Sequence, residues 1–79
     1  MSKKKIQEDQ VKRIKEIGLF IKNWRVNEDY SQYEFSILTN KHANTISNIE
    51  SGKNITILTL FDCLDAMDLT PAEFFEDMV

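Results

Sequence analysis

The 79-residue chain is short of the residues that would mark most other kinds of protein. It holds one cysteine, Cys63, so no internal disulfide can form and no cysteine-based zinc site can be built. That thiol sits in an apolar helical pattern, where a lone cysteine serves as a small core residue and fits a reducing cytoplasm. A single histidine, His42, leaves no His/Cys cluster for a metal. Two glycines and one proline argue against a loop-rich fold. No apolar run approaches membrane-spanning length. Residues 1–5 are basic with no apolar stretch behind them, which speaks against a secretory signal. Carboxylates are plentiful, yet no nucleophile, Gly-rich phosphate loop or pair of acids in an apolar setting accompanies them, so the expectation is no enzyme and no cofactor. The length suits one small core and no second domain.

Charge is present in both signs but unevenly spread. The net charge is −3, which argues superficially against a nucleic-acid partner. Residues 1–53 nevertheless carry all ten Lys and Arg against seven Asp and Glu, a net of +3. Residues 54–79 carry six acids (Asp62, Asp65, Asp68, Glu73, Glu76, Asp77) and no base, a net of −6. Such a molecule is polar: its basic part can meet phosphate while its acidic part faces away.

Apolar residues recur at helical spacing along the whole chain. Val11, Ile14, Ile17, Gly18, Ile21 and Trp24 form one stripe, so a first helix is expected from about Ile6 to about Val26, with the polar residues 1–10 frayed or forming an arm. Gly18 is costly inside a helix and marks a close backbone approach. Leu19 and Phe20 lie off the stripe, covering the side of the core or facing a partner subunit. Asn27–Asp29 breaks the pattern. Tyr30 and Phe35 then bracket Ser31-x-x-Glu34, a capping box with the spacing of a hydrophobic staple. Thr39, Asn40, Lys41 and His42 form a polar break. Ile46 and Ile49, three apart, define a short second pattern that Gly52 stops. Two helices joined by three or four residues make a helix-turn-helix unit, whose second helix can enter a DNA major groove. Thr56 caps a fourth helix with Leu58, Leu60, Phe61, Leu64 and Met67 as its apolar positions, and Leu69 docks the connection. Thr70-Pro71-Ala72-Glu73 is a full start signal for a fifth helix ending near Met78.

Ser31-Gln32-x-Glu34-Phe35-Ser36, the turn at Asn40, Thr45-Ile46-Ser47-x-Ile49-Glu50 and Ser51-Gly52-Lys53 together resemble the phage-repressor (Cro/C1, XRE-type) helix-turn-helix family. Gly18-x-x-Ile21-x-x-Trp24-Arg25 extends the match upstream, and Leu60, Leu64 and Leu69 extend it downstream. It spans about residues 17 to 75. The resemblance implies an all-α, compact five-helix domain of the lambda-repressor-like DNA-binding type over residues 11–79. Asn40 stands where the family usually has Gly, and Asn tolerates positive φ better than other side chains. His42 stands where the family has Ser or Thr. Imidazole caps poorly, so a helix start one or two residues later, with Asn44 as cap, is expected.

His42, Ala43, Asn44, Thr45, Ser47 and Asn48 line the tip and outer face of this second helix. Asn can pair bidentately with adenine, and Ala43 can meet a thymine methyl, so base contact is expected here. The tip lacks Arg, so no guanine-reading fork is present, and either a modest affinity or an A·T-rich site is expected. By resemblance, Gln32, Lys41, Lys53 and Asn54 contact phosphate, with Lys12, Lys15 and Lys22 adding to the field. Also by resemblance, Arg25 and Glu50 form a partly buried structural ion pair. Phe74, Phe75 and Met78 are more apolar bulk than a terminal helix of so small a domain needs. They suggest a homodimer interface with part of the fourth helix, the alternative being packing on Ile14 and Ile17. The expected function is sequence-specific, transcription-regulating binding of double-stranded DNA, on an inverted repeat. Small size also fits controller proteins and antitoxins, and the alternative is a protein-interaction module binding a protein such as a toxin.

Overall fold

The computed structural model describes the backbone of residues 3–78 and the side chains of residues 7–78. Five helices follow in order: α1 (Lys3–Asn27), α2 (Gln32–Thr39), α3 (Ala43–Glu50), α4 (Ile57–Ala66) and α5 (Pro71–Met78). The starts of α2, α4 and α5 have a local cause. At α2 the Ser31 hydroxyl accepts from the Glu34 N–H at 3.0 Å, and the Glu34 carboxylate accepts from the Ser31 N–H at 2.9 Å. At α5 Thr70 and Glu73 make the same reciprocal pair, at 3.1 and 3.0 Å. Thr56 accepts from the Thr59 N–H at the head of α4. Stops are equally local: Asn40 ends α2 in the left-handed region at φ 56°, and Gly52 follows α3 at φ 88°.

The core is built from the helix faces that the apolar spacing marks. Ile21, Phe35, Ile46, Ile49, Cys63, Leu64, Met67 and Phe74 are buried together. Gly18 lets α1 cross α3 in backbone contact: a Cβ at Gly18 would strike the carbonyl oxygen of Ile49. Trp24 lies between Tyr30 and Phe35, with ring centroids 6.2 and 5.9 Å away. The staple across the start of α2 therefore runs through α1. Among the described residues no buried side-chain nitrogen or oxygen lacks a hydrogen-bond partner. Buried Thr39 returns its hydroxyl to the Phe35 carbonyl at 2.9 Å.

Several expectations from the sequence are corrected. Helix α1 starts at Lys3, three residues before the expected Ile6, with Met1 and Ser2 outside the described residues. Glu8/Lys12, Asp9/Arg13 and Lys12/Glu16 place opposite charges four apart, which supports an exposed helix by a few tenths of a kcal/mol per pair. The buried stripe begins only near Ile14, since Val11 is half exposed. On α4, Leu58 and Phe61 are 68 % and 45 % exposed, not core, whereas Leu64 and Met67 are buried as expected. Helix α3 begins at Ala43 with His42 itself at the cap position, making no side-chain cap bond, so Asn44 is not the cap. Phe74 is fully enclosed and packs edge-on against Phe20, with ring centroids 4.9 Å apart. Burial of that ring removes Phe74 from any dimer surface.

Candidate nucleic-acid interface

The site is the outer face of α3 and the two connections that flank it. Ile46 and Ile49 are buried to within 1 % and anchor α3 against α1 and α2. An α-helix turns about 100° per residue, so anchoring those positions turns Asn44, Ser47 and Asn48 the other way. His42, Ala43, Asn44, Ser47 and Asn48 are all exposed, and Thr45 is half-buried at the edge. No part of the described chain covers this face.

The tilt of α3 on α2 is set by the turn. The Asn40 N–H donates to the Ile37 carbonyl at 3.2 Å, and the Lys41 N–H donates to the Ser36 carbonyl at 2.9 Å. These bonds satisfy the last carbonyls of α2 and reverse the chain. The His42 carbonyl then accepts from Thr45 and Ile46 as the first turn of α3. Ser36, small and buried, allows α3 to approach.

Arg25 and Glu50 lock the far end. Arg25 Nε donates to Glu50 Oε2 at 2.7 Å and Arg25 Nη2 donates to Glu50 Oε1 at 3.0 Å. The third arm of the guanidinium, Nη1, donates to the Tyr30 carbonyl at 2.6 Å. The two side chains are only 10 % and 3 % exposed. The hydrogen bond to Glu50 holds the Arg25 pKa above its ordinary value, against the opposing effect of burial. Arg25 thus joins α1, the α1–α2 connection and the end of α3 in one group.

Gln32 extends this network in a way that its spacing of eighteen residues from Glu50 does not signal. Its Nε2 donates to Glu50 Oε1 at 3.1 Å. The side chain assigned to phosphate therefore already has a protein partner. What remains free at the start of α2 is the backbone N–H of Gln32 and Tyr33, since Ser31 already takes the Glu34 N–H; such first-turn groups suit an anion. Lys41 is also committed, its ammonium 2.7 Å from Asp62 on α4. Lys53 and Asn54 are exposed directly after α3. Lys15 lies beside them, its Cα 3.2 Å from where a Cβ on Gly52 would sit. Exposed Tyr33, Ile37 and Leu38 on α2 form an apolar surface that the sequence reading did not single out. Among the described residues, no group of three or more His, Cys, Asp and Glu is placed to hold a metal, and no helix is long and apolar enough to cross a membrane.

A buried two-residue anchor, a left-handed turn and a bare polar helix face define a helix-turn-helix DNA-binding domain. The helix-turn-helix family pattern matches residues 21–74, well over half of the chain, and the chain belongs to that family, in its Cro/C1-type branch of DNA-binding transcriptional regulators. Its fold is similar to the crystal structure of the restriction–modification controller protein C.Esp1396I. That match has a TM-score of 0.75 and 24 % identity over 82 % of this chain and 86 % of the other. It is also similar to the controller protein C.AhdI from Aeromonas hydrophila, with a TM-score of 0.73 and 20 % identity over 80 % of this chain and 97 % of that one. Identities this low show a common fold. No curated protein matches the sequence.

Proposed function

We propose that the protein binds an inverted-repeat operator as a homodimer and regulates transcription in the manner of a restriction–modification controller. The observation that carries the reading is the bare outer face of α3 set against Ile46 and Ile49 at full burial. In this reading Asn44 reads a base edge, with His42, Ala43, Thr45, Ser47 and Asn48 shaping the rest of the groove contact. Lys53, Asn54 and the backbone at Gln32 take phosphates. Lys41 serves first to tie the turn to α4. The dimer forms through Phe75, 45 % exposed, and half-buried Met78, together with exposed Leu58 and Phe61. Two α3 helices then enter successive major grooves about 34 Å apart. Two of the solved structures similar to it in fold are controller proteins, which is why that role is the one proposed.

Selection of bound DNA from a random pool tests it, because a recovered half-site spacing near one helical turn reports both operator and dimer. On the selected site, Asn44→Ala should cost about 1–3 kcal/mol and relax preference at one position. Lys53→Ala should weaken all sequences alike and reduce the salt slope by about 1. Identical behaviour of the two variants refutes this division of roles. One observation favours a second reading, a module that binds another protein: Tyr33, Ile37 and Leu38 expose apolar surface on α2. Failure to recover any DNA at low salt selects that reading.

A further inference from the structure

The geometry points to a binding site for a small, uncharged, apolar molecule beneath the connection between α3 and α4. A cavity of about 150 Å³ opens there, walled by Ile14, Ile17, Ile49, Ile55, Ile57 and Leu60. Gly18 and the exposed connection residues Lys53, Asn54 and Thr56 complete the lining.

Three observations argue that this space is kept open rather than left over. First, α1 and α3 cannot close on it. Gly18 already brings α1 against the Ile49 carbonyl, and Gly52 already lies against Lys15, so the approach of α1 to α3 is at its steric limit on both sides. Second, six walls are branched aliphatic side chains, and no carboxylate lines the cavity. The mouth is open to solvent, with Ile57 69 % exposed, but water inside would find few of the about two to four polar partners it needs, so an apolar molecule such as benzene gains by displacing it. The ligand class is therefore a monocyclic aromatic or a short branched hydrocarbon group, without charge. Third, the roof of the cavity is the segment carrying Lys53 and Asn54. An occupant that fits better beneath one arrangement of this segment shifts it toward that arrangement, and the coupling inferred here is that this arrangement is the one that meets phosphate. This last step rests on the reading of Lys53 and Asn54 as phosphate contacts; the site itself does not.

Benzene is the test ligand, and isoleucine methyl groups labelled with carbon-13 are the readout. Saturable shifts with one dissociation constant are expected at Ile14, Ile17, Ile49, Ile55 and Ile57, and none at Ile37 or Ile46, which do not line the cavity. Ile17→Phe and Leu60→Phe each fill the space from a different wall, and each folded variant should lose the shifts. Unsaturable shifts at all isoleucines, or shifts that survive both fillings, overturn the site. Ile57 shifts that follow protein concentration without benzene mean that a second copy closes the mouth, which also overturns it. On selected DNA, saturating benzene should tighten binding about fivefold. Lys53→Ala, which removes a roof side chain and the phosphate contact together, should abolish that gain, and a gain that survives it overturns the coupling through this segment. Benzene shifts with unchanged DNA affinity overturn the coupling. Absence of DNA binding by the unmodified protein overturns the phosphate reading instead, and the methyl shifts still decide the site.

Discussion

Glu50→Ala is the substitution on which the account of the domain's stability can be broken. Glu50 accepts two bonds from Arg25 and one from Gln32, with its side chain 3 % exposed. Its removal leaves a guanidinium that is 10 % exposed with only the Tyr30 carbonyl as partner. Breaking a buried pair from one side typically costs about 3–5 kcal/mol, because the surviving charge stays desolvated. The remaining bond to Tyr30 places the expected loss near the lower end, about 3 kcal/mol. A chain of 79 residues has a total stability of about 4–12 kcal/mol, so the loss is a large fraction of the whole. At about 6 °C per kcal/mol for this length, the melting temperature should fall by about 18 °C. Urea unfolding followed by circular dichroism gives the free energy directly. The double variant Arg25→Met with Glu50→Met removes both charges and should recover most of the loss, since apolar replacement of a buried pair is often near neutral. The effect should change little between 0.05 and 0.5 M salt, ~14 to ~4 Å of Debye length, because the pair is shielded from solvent ions. A Glu50→Ala loss under about 1 kcal/mol, or a double variant as poor as the sum of the singles, refutes the desolvated-pair account.

Three further outcomes follow from particular contacts. Gly18→Ala gains about 1 kcal/mol of helix propensity but drives a methyl group into the Ile49 carbonyl, so a net destabilisation of about 2 kcal/mol is expected in chemical unfolding, and a stabilised variant refutes the close approach. Glu34 and Glu73 are held below the ordinary carboxylate value of 4.5 by the N–H and hydroxyl groups of Ser31 and Thr70. The unfolded chain therefore binds those protons first: the stabilisation is complete above about pH 4.5 and is lost as pH falls through the depressed values. Glu34→Gln with Glu73→Gln should flatten the acid limb of a stability–pH curve, and an unchanged limb counts against the two boxes. Burial first, then the neighbouring Asp62 charge, pushes the Cys63 thiol up to about 11. A thiol reagent at pH 8 should react with it only as fast as the chain unfolds, and immediate stoichiometric labelling contradicts its burial.

The candidate site divides along the range of the forces that make it. Caps, stops and the Ile46/Ile49 anchor act over three or four residues, so Ser31, Thr56, Thr70, Asn40 and Gly52 announce themselves in the chain. The bare face of α3 follows from the same short-range periodicity. Gly18 is legible for a related reason: a glycine tolerated inside a helix signals that something passes close, though not what passes. The Arg25–Glu50 pair was legible only through family resemblance, because twenty-five residues separate its members.

The amino-acid sequence by itself determined five helices, most of their caps and stops, and which face of α3 is left bare. Each of these depends on a residue and its neighbours within one turn. Only the tertiary structure decided that Gln32 and Lys41 already hold Glu50 and Asp62. It alone also decided that Phe74 is sealed while Phe75 and Phe61 are bare, and that the helices stand apart around a cavity. Those outcomes depend on which surfaces meet across the fold, and a helical repeat gives each side chain a direction but not a neighbour.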